Sequence, residues 1–113
     1  MIVNTPKPPY VAVIFTNTHR DEVINGSEAN PYIQTADAMV TLAAQQDGYL
    51  GMESARNKDG FGMTISYWRD EDSVKKWKAN ADHLQAQKAG RHKWYKNYKT
   101  RIATVSRDYG FNS

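Results

Sequence analysis

The side chains best suited to chemistry on a small molecule are Phe15, Asn17, Arg56, Trp68, Trp77, His83 and Arg101. An imidazole titrates near neutrality, so His83 can accept a proton from a bound molecule. It falls one residue off an apolar stripe, which suits the edge of a cleft and equally suits a histidine packed beside a helix end. Asn17 shares a strand face with Val13 and Phe15. An amide on an apolar face is costly unless bonded, so it either donates to a developing oxyanion or satisfies a backbone group. Phe15, Trp68 and Trp77 could wall an aromatic pocket, although Trp77 also suits a core position. Arg56 and Arg101 can pair with a carboxylate. Exposed strand arginines commonly do nothing so specific, and Arg101 is the one taken here as a ligand contact.

Other chemistries are excluded by residue type or spacing. The chain has no cysteine, which removes disulfides, thiolate metal sites and a thiol nucleophile together. His19, His83 and His92 have neither H-x-H nor H-x-x-x-H spacing, so no metal site is expected. Gly60-Phe61-Gly62 leads into a strand, with Ile65 where a third glycine would stand, and is not a nucleotide loop.

The elements that must hold these residues follow from periodicity and punctuation. Tyr10 to His19 alternates as a strand after a proline-rich, extended lead over residues 1–9. Arg20 to Asn30 is polar and reads as a loop. Asn30-Pro31 opens a helix running to about Gln46, with Tyr32, Ala36, Met39, Val40 and Ala43 on one face. Tyr49–Asn57 and Phe61–Trp68 form a hairpin about Lys58-Asp59-Gly60. Asp70 caps a second helix with the stripe Val74, Trp77, Ala81 and Leu84, fading near Ala89-Gly90. A short helical turn over Arg91 to Tyr95 and a last strand over Asn97 to Tyr109 complete the chain.

The order β-α-β-β-α-β predicts an α+β, ferredoxin-like domain over residues 10–113, an antiparallel sheet with both helices on one face. The first strand is apolar on both faces, yet helices cover only one. A second copy packed sheet against sheet would cover the other, so a homodimer is expected, with the long last strand reaching onto the partner.

Length and composition agree with a single domain. At 113 residues, 40% hydrophobic and 24% charged, the chain can bury one core and does not read as disordered. No run is long and apolar enough to span a membrane, and residues 10–16 lack a basic leader and a cleavage site. Together with the missing cysteines, this sets the expectation of a cytoplasmic protein. The net charge is +3, and no Asp or Glu occurs between His83 and Arg107. Basic residues interleave there with Trp94, Tyr95 and Tyr98, a pattern that can bind single-stranded nucleic acid. A solvated face with aromatic anchors explains it more simply, so nucleic acid is not an expected partner.

Several segments taken together resemble the antibiotic biosynthesis monooxygenase family of dimeric α/β barrels. They are Gly48-Tyr49-Leu50-Gly51-Met52-Glu53-Ser54-Ala55-Arg56, Ser66-Tyr67-Trp68, Trp77 with His83 six residues on, Gly90-Arg91, Trp94-Tyr95 with Tyr98, and the closing Val105 to Phe111. The likeness runs from Pro9 to near the end of the chain. It implies a dimer, a pocket between each sheet and its own helices, and oxygen chemistry with no bound cofactor.

In that setting an aromatic or quinol-like substrate loses a proton, its anion passes an electron to dioxygen, and the radical pair recombines at carbon. His83 then reads as the base and Asn17 as the oxyanion donor, with Phe15, Trp68, Trp77 and Arg101 as substrate contacts. The family is mixed, and fold alone does not settle activity. A small-molecule binder without turnover and a haem-binding or haem-degrading relative stand as alternatives. Haem-degrading relatives typically carry a histidine about three turns after a helical tryptophan; ten residues past Trp77 stands Gln87, and His83 comes one turn too early.

Overall fold

A computed structural model describes residues 2–24, 31–87 and 94–112, with the backbone alone over 31–34 and 85–87. Its elements are β1 (Tyr10–His19), α1 (Asp21–Ile24), α2 (Pro31–Ala44), β2 (Tyr49–Arg56), β3 (Phe61–Trp68), α3 (Glu71–Gln87) and β4 (Tyr95–Val105). The four strands form one antiparallel sheet in the order β2-β3-β1-β4. This is the α+β, ferredoxin-like arrangement that the element order predicts.

Local chemistry sets the element ends. In the β2–β3 turn, Gly60 takes a φ of 96° and the Asp59 carboxylate accepts the Phe61 N–H at 3.0 Å. A side chain at Gly60 would strain the backbone and strike Ile24, 2.6 Å away. At the start of α3, one Asp70 oxygen accepts both the Ser73 N–H at 2.8 Å and the Ser73 hydroxyl at 2.7 Å. These bonds to Ser73 lead the causes that hold the Asp70 carboxyl down at about 2, as an N-cap does.

The sheet face under the helices carries Val11, Val13, Phe15, Asn17 and His19 from β1. Across from them lie Trp68, Ser66, Thr64 and Gly62 of β3, and then Met52, Ser54 and Arg56 of β2. Two apolar clusters close this layer. Val11, Ala43, Trp68 and Val74 form one, with Tyr49, Met52 and Trp77 against it. Val23, Trp94 and Tyr95 form the other, with Phe15 against it.

The opposite face is partly covered by the chain's own ends. The Tyr10 hydroxyl donates to Asp108 at 2.5 Å, and Thr5 reaches both groups. The Val3 N–H and the Tyr67 hydroxyl both donate to Glu53, at 2.9 and 2.6 Å. Burial, then Glu53, pushes the Tyr67 phenol up to about 12. Tyr10 and Ala12 are therefore buried without a second copy, whereas Phe61 and Met63 farther along that face stay exposed.

Three expectations need correction. The polar stretch after β1 begins with a helical turn, Asp21–Ile24, which buries Val23; four residues are too few to show a period. The last strand runs over Tyr95–Val105 and not Asn97–Tyr109. Its final partner is Tyr10, because Pro9 has no N–H with which to extend β1. Tyr95 itself opens that strand and so is not helical, while the rest of the turn expected from Arg91 falls mostly outside the described residues, as do Asn25-Gly26 and the cap at Asn30.

Candidate functional site

Between the sheet and the two long helices lies a cavity of about 610 Å³. The sheet supplies Val13, Phe15, Met52, Ser66, Thr64 and Ile102; α2 supplies Ala36, Met39 and Val40; α3 supplies Val74, Trp77 and Ala81. The strand residues share one face because they are two apart along each strand and in register across it: Ile102, Val13, Ser66 and Met52 form one row, and Thr100, Phe15, Thr64 and Ser54 the next. The helix residues share a face at a spacing of three and four. The result is a mainly apolar chamber with a few hydroxyls, the usual make-up of a small-molecule site.

One end of the chamber is aromatic. The Trp68 indole is fully buried and stacks on Trp77, with ring centroids 5.7 Å apart and planes 22° apart. Tyr49 meets it edge-on at 5.5 Å. The Trp68 indole N–H donates to the Ser66 hydroxyl at 2.8 Å. That bond occupies a lone pair of Ser66 and leaves its hydrogen to point elsewhere, and Ser66 lines the cavity.

The other end is polar. Asn17, 1% exposed, faces Gly62 and through it Arg56. The Arg56 guanidinium donates to the Asn17 amide oxygen at 2.7 Å and to the Gly60 carbonyl at 2.6 Å. Gly62 makes room for it: a β-carbon there would sit 2.9 Å from the guanidinium carbon and 2.8 Å from the Ala55 carbonyl. The neighbouring His19 is buried, and burial together with the Arg56 charge pushes its pKa down to about 4. Its imidazole is therefore neutral at ordinary pH.

The expected site residues divide accordingly. Phe15 and Trp77 line the cavity. Trp68 lies behind the wall and orients Ser66, since its place at the end of β3 puts it in the core cluster. Asn17 lies on the expected face but is not among the residues lining the cavity: its amide nitrogen donates to the Phe15 carbonyl at 3.4 Å and its oxygen accepts from Arg56. Arg101 pairs with Ile14 and so projects from the opposite face, beside a shallow hollow of about 210 Å³ with Phe61 and Lys99. His83 is exposed and is not among the residues lining the cavity. On a helix it lies about 200° around from Ala81, away from the inward stripe.

Sequence reasoning passed over Ser54, Thr64 and Ser66 and ranked Arg56 below Arg101. The i, i+2, i+4 series Met52, Ser54, Arg56 carried the signal for β2. Among the described residues no group of three metal-binding side chains occurs, and no helix is long and apolar enough to cross a membrane. The Gln87 side chain and His92 lie outside the described residues.

Comparison with known proteins adds to this geometry. The profile of the antibiotic biosynthesis monooxygenase family matches residues 23–89, more than half of the chain. The uncharacterised protein YqjZ of Bacillus subtilis is 43% identical over 103 residues, covering 91% of this chain and 85% of YqjZ. A jasmonate monooxygenase of Pyricularia oryzae is 31% identical over 84 residues, 71% of this chain but 38% of that longer protein. Among solved structures, SnoaB, a cofactor-independent oxygenase from Streptomyces nogalater, superposes with a TM-score of 0.63, covering 94% of this chain and 100% of SnoaB at 14% identity. That identity supports a shared fold alone.

Proposed function

Because this chain belongs to the antibiotic biosynthesis monooxygenase family, we propose that it is a monooxygenase that takes a small aromatic or quinol-like molecule into the sheet–helix cavity. The observation that carries this reading is the cavity itself, about 610 Å³, walled by Phe15, Met39, Met52, Val74 and Trp77, with hydroxyls set into the sheet floor. SnoaB offers a precedent of the same fold for oxygenation without a cofactor, and the jasmonate monooxygenase offers one for monooxygenation by a relative in sequence.

Such a reaction needs an anionic substrate, which enters as the phenolate with its proton already given up to solvent. A phenolate gives one electron to dioxygen, the radical and superoxide join at a ring carbon, and the peroxide loses water to leave a quinone. One oxygen atom stays on the product and the other leaves as water. The apolar walls lower the polarity around the substrate, which strengthens polar contacts inside. Ser66, held by the Trp68 indole, and Thr64 beside Phe15 are the donors placed to stabilise the substrate oxygen. His83 has no part in this scheme, because it stands exposed outside the cavity lining.

The reading is tested by oxygen uptake over a panel of dihydroxy-aromatics, with ¹⁸O₂ used to trace the atom retained in the product. Turnover is expected from the native chain and from His83→Ala alike. Trp77→Ala, which opens the aromatic wall, is expected to lose roughly 100-fold or more in rate. Ligand binding to the cavity without oxygen consumption by any of the panel would replace this reading with that of a binding protein. A His83→Ala protein that is folded but inactive would return the proton-accepting role to that imidazole. The same family reading carries the proposal of a homodimer joined over the outer sheet face, where Phe61 and Met63 remain exposed.

A further inference from the structure

The polar end of the cavity holds a charged side chain that the scheme above assigns no part. Arg56 lines the cavity and is exposed to solvent. Two of its contacts fix the guanidinium in place, one to Asn17 and one to the Gly60 carbonyl. Neither partner carries charge. A guanidinium has five N–H donors, so three remain after these two bonds. No described acidic residue forms an ion pair with Arg56, whereas Arg69, Lys78 and Lys96 each have one.

The rest of the lining sharpens the point. Lys78 also borders the cavity, but its ammonium is held by Asp82 at 2.6 Å. Among the described residues that line the chamber there is no Asp, Glu or His. Among the described lining residues, the wall therefore combines a fixed cation, paired by no carboxylate, and a mainly apolar surface bearing a few hydroxyls. The strand geometry also sets a direction. Arg56 lies in the Asn17 row and Met52 in the Val13 row, four residues apart along β1, or about 13 Å. Trp77 packs beyond that second row, against Trp68.

We infer that Arg56, braced by Asn17 in the space left by Gly62, binds the carboxylate of the substrate. The substrate class is then a carboxylic acid with an aromatic or other apolar body, its acid at the cavity mouth and its body lying along the sheet toward Trp77. This rests on the cavity being the substrate site, as proposed above. The planar fork of a guanidinium matches a carboxylate with two parallel N–H bonds, and the two bonds to Asn17 and Gly60 fix its orientation before the ligand arrives. Asn17 acts here as a positioning residue.

The test compares 4-phenylbutyrate with its uncharged isostere 4-phenylbutyramide by isothermal titration calorimetry at low salt. The native chain is expected to bind the acid roughly five- to tenfold more tightly than the amide, in the range of a partly exposed charge-assisted contact. Arg56→Gln is expected to abolish that preference while leaving amide binding in place. Arg56→Lys, which keeps the charge and loses the fork, is expected to retain only part of it. Equal affinity of the native chain for acid and amide would overturn the inference and leave the apolar cavity standing as the binding site. An acid preference that survives unchanged in Arg56→Gln would place the anion contact elsewhere and overturn it as well. Binding of neither compound to the native chain would count against the cavity reading itself, and the inference would fall with it.

Discussion

The two ends of the cavity are built on the same face of the same strands, yet they perform opposite tasks. At the Val11 row, the Trp68 ring is fully buried among Tyr49, Val74 and Trp77, and its one polar atom is bonded to Ser66. At the Asn17 row, an amide, an imidazole and a guanidinium crowd together, and backbone and side-chain acceptors hold the cation in place. The difference shows how position along one strand face separates a packed end from a polar end within one layer. Large rings at one end supply packing energy, and the other end uses some of it to bury the Asn17 amide and the His19 imidazole beside an exposed Arg56.

The contrast breaks most severely at the aromatic end. Trp68→Ala removes a fully buried ring and is expected to cost about 3–5 kcal/mol, read as a fall in the denaturation midpoint. A loss below about 1 kcal/mol would mean that this end is not the structural anchor described. At the polar end, Gly62→Ala puts a methyl group 2.9 Å from the Arg56 guanidinium carbon and is expected to cost roughly 1–3 kcal/mol. It should also weaken the acid preference described above by displacing Arg56, whereas Trp68→Ala should reduce stability before selectivity. A fully stable Gly62→Ala protein with its acid preference intact would show that the guanidinium does not depend on that space.

The smallest effect belongs to pH. His19 has its pKa lowered to about 4 in the folded chain, first by burial and then by the Arg56 charge, against an ordinary value near 6.5. The unfolded chain therefore takes up this proton first as pH falls. The corresponding stability is present above about pH 6.5 and is lost progressively as pH drops through that value toward 4. Denaturation midpoints measured from pH 7 to 4 should show this loss in the native chain and less of it in His19→Gln. Matching slopes in the two proteins would remove His19 as the source.

Much of the framework was legible because it rests on local rules. The apolar run after the prolines, the Lys58-Asp59-Gly60 turn and the Asp70 cap bounded β1 and β3 at Tyr10–His19 and Phe61–Trp68. The stripe of α3 placed Trp77 correctly, and the alternation of β1 placed Phe15. What escaped depends on long-range registration. Arg101 and Arg56 are both strand arginines, and only the pairing of Ile14 with one and of Gly62 with the other assigns them to opposite faces. His83 looked like a cleft residue because one step along a sequence is a small distance, although on a helix it is a rotation of about 100°. The space that Gly62 leaves for Arg56 joins three strands, and no window along one of them contains it.

The clasp formed by Val3 on Glu53 and by Tyr10 on Asp108 also has a practical consequence. Both bonds hold the ends of the chain against the sheet face opposite the cavity. A purification tag or surface tether joined ahead of Val3 or after Asp108 would emerge on that side, leaving the cavity mouth open to dissolved ligand. The same attachment would crowd the face on which a second copy is proposed to dock. Immobilising the chain by either end, with activity and assembly read side by side, would therefore separate what one subunit does alone from what needs two.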